Sequence, residues 1–305
     1  MLPDFIIEPA SSLRPSHLPE IALQCPTDLA EVFEHMHQGA SLIAGGTDIL
    51  LVAAQRGAPH HLVWTGGIEA LKEFEESGET IRIGAATPLA QLIRSQSFRH
   101  KAPAVADGAQ LVGSVQLRNQ ATIVGNVCTA SPAADTVPGL LVHDCVVETA
   151  DRKNNTRRID LKNFMIGPGK TALRDGELVT GLTLTRLGKN QTSAYQRFTQ
   201  RAALDLAFAS VAVKLDFDQD GVALKSVMLV LGAVGETAID ASSAADGLIG
   251  YPLSEDRLSQ CADAASQMCE PISDQRASAG YRHQLIRALV VDVIKQAAAR
   301  YGERS

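Results

Sequence analysis

The stretch Gln116-Leu117-Arg118-Asn119-Gln120-Ala121-Thr122-Ile123-Val124-Gly125-Asn126 decides the reading of this chain. It lies inside a longer run, residues 113–138, that is rich in Gly, Asn, Ser, Thr and Pro and carries only Arg118 and Asp135 as charges. Exposed linkers are usually charged, and long ordered loops tend to be functional. The run therefore reads as a packed loop with many small hydrogen-bond donors and one cation, suited to a diphosphate or a polar heterocycle. Upstream, Ser41-Leu42-Ile43-Ala44 reads as a short apolar strand. It is interrupted by Gly45-Gly46-Thr47-Asp48 and followed by the apolar segment Ile49-Leu50-Leu51-Val52. Paired glycines let backbone N–H groups approach an anion and adopt positive φ. Thr47 adds a hydroxyl, and Asp48 reads as a cap for the following turn. Either loop alone is also compatible with a plain tight turn.

The rest of the pattern alternates strands and helices. Thr27 and Asp28 cap a predicted helix that runs to Gln38, with Gly39 just past its end. Residues 81–83 read as a strand, Thr87-Pro88 starts a helix, and 104–111 reads as another. Residues 142–150 and 157–161 read as strands around a turn at Lys153-Asn154-Asn155, and 163–171 as a Gly/Pro loop. Further strands are predicted over 178–184, 194–199, 209–215 and 227–233, with a hairpin turn at 216–221. The last third reads as helical, over 254–265 and 279–301. A boundary near residue 175 divides the chain into 1–175 and 176–305.

The 305 residues are 45% hydrophobic and 20% charged, an ordinary globular composition. The net charge of −6, the single Trp and the four Tyr give no basis for nucleic-acid binding. No signal peptide and no membrane span are read in the sequence. The five cysteines, Cys25, Cys128, Cys145, Cys261 and Cys269, show no C-x2-C spacing, so a metal site in this chain is not expected. Scattered reduced thiols point to the cytoplasm. Cys128 stands apart because it adjoins the second loop.

Several chemistries fail on spacing. No G-x-G-x-x-G follows a strand. Gly167-Pro168-Gly169-Lys170-Thr171 resembles a P-loop ending, but the required upstream glycine position holds Phe164. No G-x-S-x-G or H-E-x-x-H occurs. His35 and His37 fall on different helix faces, and His60-His61 reads as solvated loop.

The two loops, in order with Ser131-Pro132-Ala133-Ala134-Asp135, Gly167-Pro168-Gly169-Lys170-Thr171, Glu177-Leu178, Arg201 with Asp205-Leu206-Ala207, and Tyr281-Arg282, resemble the FAD-binding (medium) subunits of the molybdenum hydroxylase family, the xanthine dehydrogenase and carbon monoxide dehydrogenase flavoproteins. The resemblance spans nearly the whole chain. It implies an α+β architecture: a two-part FAD-binding domain of the vanillyl-alcohol-oxidase or PCMH type, then a smaller C-terminal domain of sheet plus helices. It implies that Leu42, Ile43, Ala44, Gly45, Gly46, Thr47, Asp48 and Ile49, with Thr122, Ile123, Val124, Gly125 and Asn126, wrap the FAD diphosphate. Val112, Asp135, Val179 and Arg197 fall at further flavin or adenosine contacts. Arg197 stands where many relatives have Lys. Val124 replaces a glycine, which would be strained if that position needed positive φ.

The resemblance implies no catalytic acid or base in this chain. It implies partners, a small [2Fe-2S] iron–sulfur subunit and a large molybdenum-cofactor subunit, in a dimer of heterotrimers. Electrons would pass to NAD+ or another acceptor while a purine, N-heterocycle, aldehyde or similar substrate is hydroxylated elsewhere. The alternative is a stand-alone flavin-dependent oxidoreductase on the same fold.

Overall fold

The computed structural model describes residues 21–49, 61–201 and 203–303. It opens with a three-stranded parallel sheet in the order β1 (Ala22–Gln24), β3 (His61–Trp64), β2 (Ser41–Ile43). Parallel neighbours need a crossover. Helix α1 (Leu29–His37) supplies the one between β1 and β2. The Asp28 side chain accepts from the Glu31 N–H at 2.9 Å, which sets its start. Gly39, at φ +86°, follows its C-cap and releases the chain into β2. The segment expected after the first glycine loop, Ile49 to Val52, lies outside the described residues except for helical Ile49.

A five-stranded antiparallel sheet follows: β4 (Phe74–Ser77), β5 (Thr80–Gly84), β10 (Glu177–Thr185), β6 (Val146–Asp151), β7 (Thr156–Asp160), in that spatial order. Between β5 and β6 the chain makes α2 (Leu89–Arg94), α3 (Gln96–Lys101), α4 (Pro103–Leu111), α5 (Val115–Arg118), α6 (Ile123–Thr129) and α7 (Thr136–Val142). The expected loop 113–138 is thus largely short helices. Small polar residues that read as loop act as caps: Ser114 Oγ accepts from Leu117 N–H and Thr122 Oγ1 from Gly125 N–H. Val142 closes α7 and does not open the strand expected there; the apolar run Leu140-Leu141-Val142 is a helix packed into the core. The expected loop 163–171 holds α8 (Leu161–Phe164) and the small hairpin β8 (Met165–Gly167) with β9 (Lys170–Thr171).

Helices α4 and α7 approach at backbone distance through two glycines. A Cβ on Gly108 would meet the Asp135 carbonyl oxygen at 2.2 Å, and one on Gly139 the Ala104 carbonyl oxygen at 2.7 Å. This contact fixes where α7, and Asp135 at its N-terminus, stands.

The last part is a four-stranded antiparallel sheet, β11 (Gln191–Phe198), β12 (Ala209–Phe217), β13 (Leu224–Gly232) and β14 (Ile239–Asp240). Helix α10 (Ala279–Gly302) packs on one face, with α9 (Glu255–Gln267) against it, and α4 and α7 pack on the other. Since β10 belongs to the first large sheet, the change of sheet falls between Thr185 and Gln191, beyond the boundary expected near 175. β11 is therefore buried on both faces, and its alternating side chains divide the work. Thr192 Oγ1 donates to the Ala297 carbonyl of α10 at 3.0 Å. Ser193, Tyr195 and Arg197 face the first part of the molecule. The Tyr195 ring lies in an apolar row with Ala212 and Val230, its register partners across the sheet, and with Ala104 and Val142.

Ser193 meets a fully buried histidine. His143 Nδ1 lies 2.8 Å from the Thr185 carbonyl, which only accepts, so Nδ1 carries the proton. Its Nε2, 2.9 Å from Ser193 Oγ, then accepts from the hydroxyl, which in turn accepts from Ala104 N–H at 3.1 Å. This arrangement uses the neutral ring. Burial pushes its pKa down to about 4, with the nearby Lys214 adding to the effect against the Thr185 bond. The folded value lies below that of the unfolded chain, near 6.5. The contribution to stability is thus complete above pH about 6.5 and is lost as pH falls toward 4. His143→Gln keeps one donor and one acceptor without titrating. Its unfolding free energy should fall less steeply than that of the parent between pH 6.5 and 4.5, by about 1 kcal/mol per pH unit. Parallel pH profiles for the two proteins would contradict this.

Candidate functional site

The two glycine loops meet. A Cβ on Gly45 would stand 2.1 Å from the Gln120 carbonyl oxygen and 2.9 Å from Ala121 Cα, so the first loop lies directly on the backbone that leads into α6. Absence of a side chain at Gly45 serves this approach. Gly46 is the position that uses positive φ, at +71°. The contact is held at both ends. The Trp64 indole N–H donates to the Ala44 carbonyl at 3.1 Å, and Thr129 Oγ1 donates to Asp48 at 3.2 Å. Asp48, expected to cap its own turn, is thereby tied to the far end of α6. Leu42 and Ile43 sit in β2, and Thr47 and Ile49 are half-buried beside it.

The second loop is a capped helix start. Thr122 is the N-cap of α6, and the loop is anchored by Leu89 N–H donating to the Ala121 carbonyl at 2.8 Å. Val124, at a position where strain was conceivable, is an ordinary helical residue with a buried side chain. It needs no positive φ, which explains why a β-branched residue is accepted there. The first-turn N–H groups of a helix are natural anion ligands, although here the Gly125 N–H is already taken by Thr122 Oγ1. Cys128, also on α6, is pushed up to about 12 by burial, which favours the protonated thiol.

Asn126 connects the loops to the second sheet. Thr136 Oγ1 donates to Asn126 Oδ1 at 2.7 Å, next to Asp135. Asp135 is itself buried and holds two partners: Oδ1 accepts from the Tyr195 hydroxyl at 2.7 Å, and Oδ2 pairs with Arg197 Nη1. Burial pushes the Asp135 carboxyl up, and Arg197 and Tyr195 oppose it. The Tyr195 phenol is driven well above its ordinary value by burial and by Asp135, so it remains a donor. Arg197 Nη2 is buried with no hydrogen-bond partner among the described residues. Such a donor costs free energy unless an acceptor meets it.

Residues 44–48, 122–129, 135 and 197 thus form one connected group. Val112 is joined to it less directly, as the C-cap of α4 whose carbonyl accepts from Arg118 Nη1 at 2.8 Å. The cation of the second loop, Arg118, is therefore spent on backbone. Val179 is buried in β10, at a register shift beside Gly181, where α6 packs. Tyr195 was not singled out from sequence; its place at alternating spacing between Ser193 and Arg197 on a strand is the signal that would have found it. Two open depressions, of about 520 Å³ at Thr185 to Gln191 and about 540 Å³ at Gln96, Asp107 and Arg300, lie apart from this group. Among the described residues, no helix is long and apolar enough to cross a membrane.

Comparison with known proteins gives the class, a flavin-binding oxidoreductase subunit, and the family. The FAD binding domain in molybdopterin dehydrogenase matches residues 19–185, and the CO dehydrogenase flavoprotein C-terminal domain matches residues 193–297. The chain belongs to the FAD-binding medium subunits of the xanthine and carbon monoxide dehydrogenase family. The 6-hydroxypseudooxynicotine dehydrogenase complex subunit alpha of Paenarthrobacter nicotinovorans is 30% identical over 86% of this chain and 88% of its own length. The carbon monoxide dehydrogenase medium chain of Hydrogenophaga pseudoflava is 27% identical over 92% of this chain and 98% of its own. A solved structure of carbon monoxide dehydrogenase from the same organism, lacking the Mo-pyranopterin moiety of its molybdenum cofactor, superposes with a TM-score of 0.86 at 26% identity, covering 92% of this chain and 98% of that one. The expected α+β, two-part architecture is the one found. The residues fit FAD: the buried unpartnered nitrogen of Arg197 offers a donor, and the loops offer backbone free of side chains at Gly45 and Gly46.

Proposed function

We propose that this chain is the electron-transfer subunit of a multi-subunit molybdenum hydroxylase. It works between a small [2Fe-2S] subunit and NAD+ or another acceptor, while a large molybdenum-cofactor subunit hydroxylates a purine, N-heterocycle, aldehyde or similar substrate. The observation that carries this reading is the docking of the two glycine loops onto one another beside the open donor of Arg197. Bound FAD supplies the exchange between single electrons and electron pairs, and the protein supplies binding, orientation and electrostatics. Residues 42–49 and 122–126 would hold its diphosphate, and Val112, Asp135, Val179 and Arg197 the remainder. A dimer of heterotrimers in the cytoplasm follows the same reading; the five free cysteines support a reducing compartment.

Two arrangements on this fold are separated by co-purification with partner chains. The reading expects flavin, iron and molybdenum in constant ratio and no turnover of an organic substrate by the isolated chain. Substrate turnover by the isolated chain would replace it with the stand-alone flavoenzyme.

Within the site, Gly46→Val places a β-branched residue at φ +71° and a Cβ 3.0 Å from the Ile43 side chain. The left-handed conformation alone costs a side-chain-bearing residue about 1–2 kcal/mol. The purified variant should retain a small fraction of the parent's flavin, measured by acid release. Full flavin content in a folded variant would oppose the assignment.

A further inference from the structure

An arginine beside a carboxylate normally engages it through two parallel N–H···O bonds. Arg197 does not. It pairs with Asp135 through Nη1 alone, while the other carboxylate oxygen accepts from the Tyr195 hydroxyl at 2.7 Å. Nη2 is left buried and without a partner among the described residues. All three side chains are buried, so water does not release the constraint. Tyr195 is itself fixed, its ring in the apolar row of Ala104, Val142, Ala212 and Val230 and its N–H donating to Asp107 at 3.1 Å.

We infer that Tyr195 is a positioning residue of the cofactor site: by occupying one oxygen of Asp135 it holds Arg197 to a one-nitrogen ion pair and keeps the second guanidinium nitrogen available to an acceptor on the flavin. This rests on the reading that Arg197 faces the cofactor. With the hydroxyl gone, Asp135 has an open oxygen and Arg197 an open nitrogen on adjacent groups. A small rotation makes the pair two-pronged and removes the donor from the site. The ring remains to fill its place, so the fold keeps its core.

The test uses the full-length chain, stripped of flavin and titrated with FAD by fluorescence, in a four-member set: parent, Tyr195→Phe, Arg197→Lys and the double variant. Tyr195→Phe should raise the FAD Kd about tenfold, or about 1.4 kcal/mol, and Arg197→Lys should raise it as well. The double variant should be no weaker than Arg197→Lys alone, because an ammonium has no second nitrogen to lose. A Tyr195→Phe Kd equal to the parent's, with Arg197→Lys weakened, overturns the positioning role and leaves the reading of Arg197 standing. The same factor appearing in both backgrounds also overturns it, since Tyr195 would then act independently of Arg197. An unchanged Kd for Arg197→Lys, which keeps the cation many relatives carry there, overturns the inference, since the second nitrogen would then contribute nothing, and leaves the reading that residue 197 faces the cofactor standing.

Discussion

Gly45→Ala is expected to abolish flavin retention, although it adds one methyl group. The added Cβ would meet the Gln120 carbonyl oxygen at 2.1 Å, its carbon at 2.7 Å and Ala121 Cα at 2.9 Å. All three are main-chain atoms, so no side chain can turn aside to relieve the overlap. The Gln120-Ala121 backbone is held in turn by the N–H of Ala121 to the Leu117 carbonyl and of Leu89 to the Ala121 carbonyl. Room must come from separating the two loops. Such overpacking costs about 1–3 kcal/mol, affordable for a chain of this size. A site made from both loops would lose its shape. The check is acid-released flavin together with circular dichroism. Near-zero flavin in a protein with parental secondary structure is the expected result, and parental flavin content would show that the docking does not matter for binding.

Arg197→Met is expected to have the largest effect on stability, about 3–5 kcal/mol, the usual cost of stranding one partner of a buried ion pair. Asp135 would keep only Tyr195, with its second oxygen buried and unpaired. Asp135→Leu combined with Arg197→Met should recover most of the loss, because the uncompensated charge is gone. Denaturant midpoints of the parent, the single variant and the double variant measure this directly. A loss below about 1 kcal/mol in Arg197→Met would mean that Asp135 is solvated or takes up a proton in the variant, and not that it stands as a stranded charge.

How the sequence foretold these features depends on which physical signal each residue carries. The Asp28 cap, Gly39 and the β-branched runs of the second sheet are local signals, and the elements stand close to where they were expected. The helices of 115–142 were hidden because Ser114, Thr122, Gly125 and Pro138 have the composition of loop, and only the capping bonds show their role. Val142 read as strand because β-branched apolar residues favour strands, whereas packing of α7 on α4 through Gly108 and Gly139 decides the matter. The change of sheet past Thr185 is a pairing fact, set by β10 lying between β5 and β6. In the site, the two glycine loops stood out by residue types suited to anion and polar contacts, whereas Asp135 was picked out by the family resemblance. Gly45 was read as a phosphate contact, and its reason is an approach to backbone 75 residues along the chain. Tyr195, His143 and Ser193 act only through long-range partners, which no local pattern encodes.

The most direct test of the central claim, that the docked loops hold the flavin, is amide hydrogen exchange on the flavin-stripped chain before and after addition of FAD. Protection should appear at residues 44–49 and 122–129, with Asp135 and Arg197, and the amides around Thr185 to Gln191 and around Gln96 to Gln110 should be unchanged. Protection confined to either of those two depressions, with the glycine loops exchanging as before, would contradict the account.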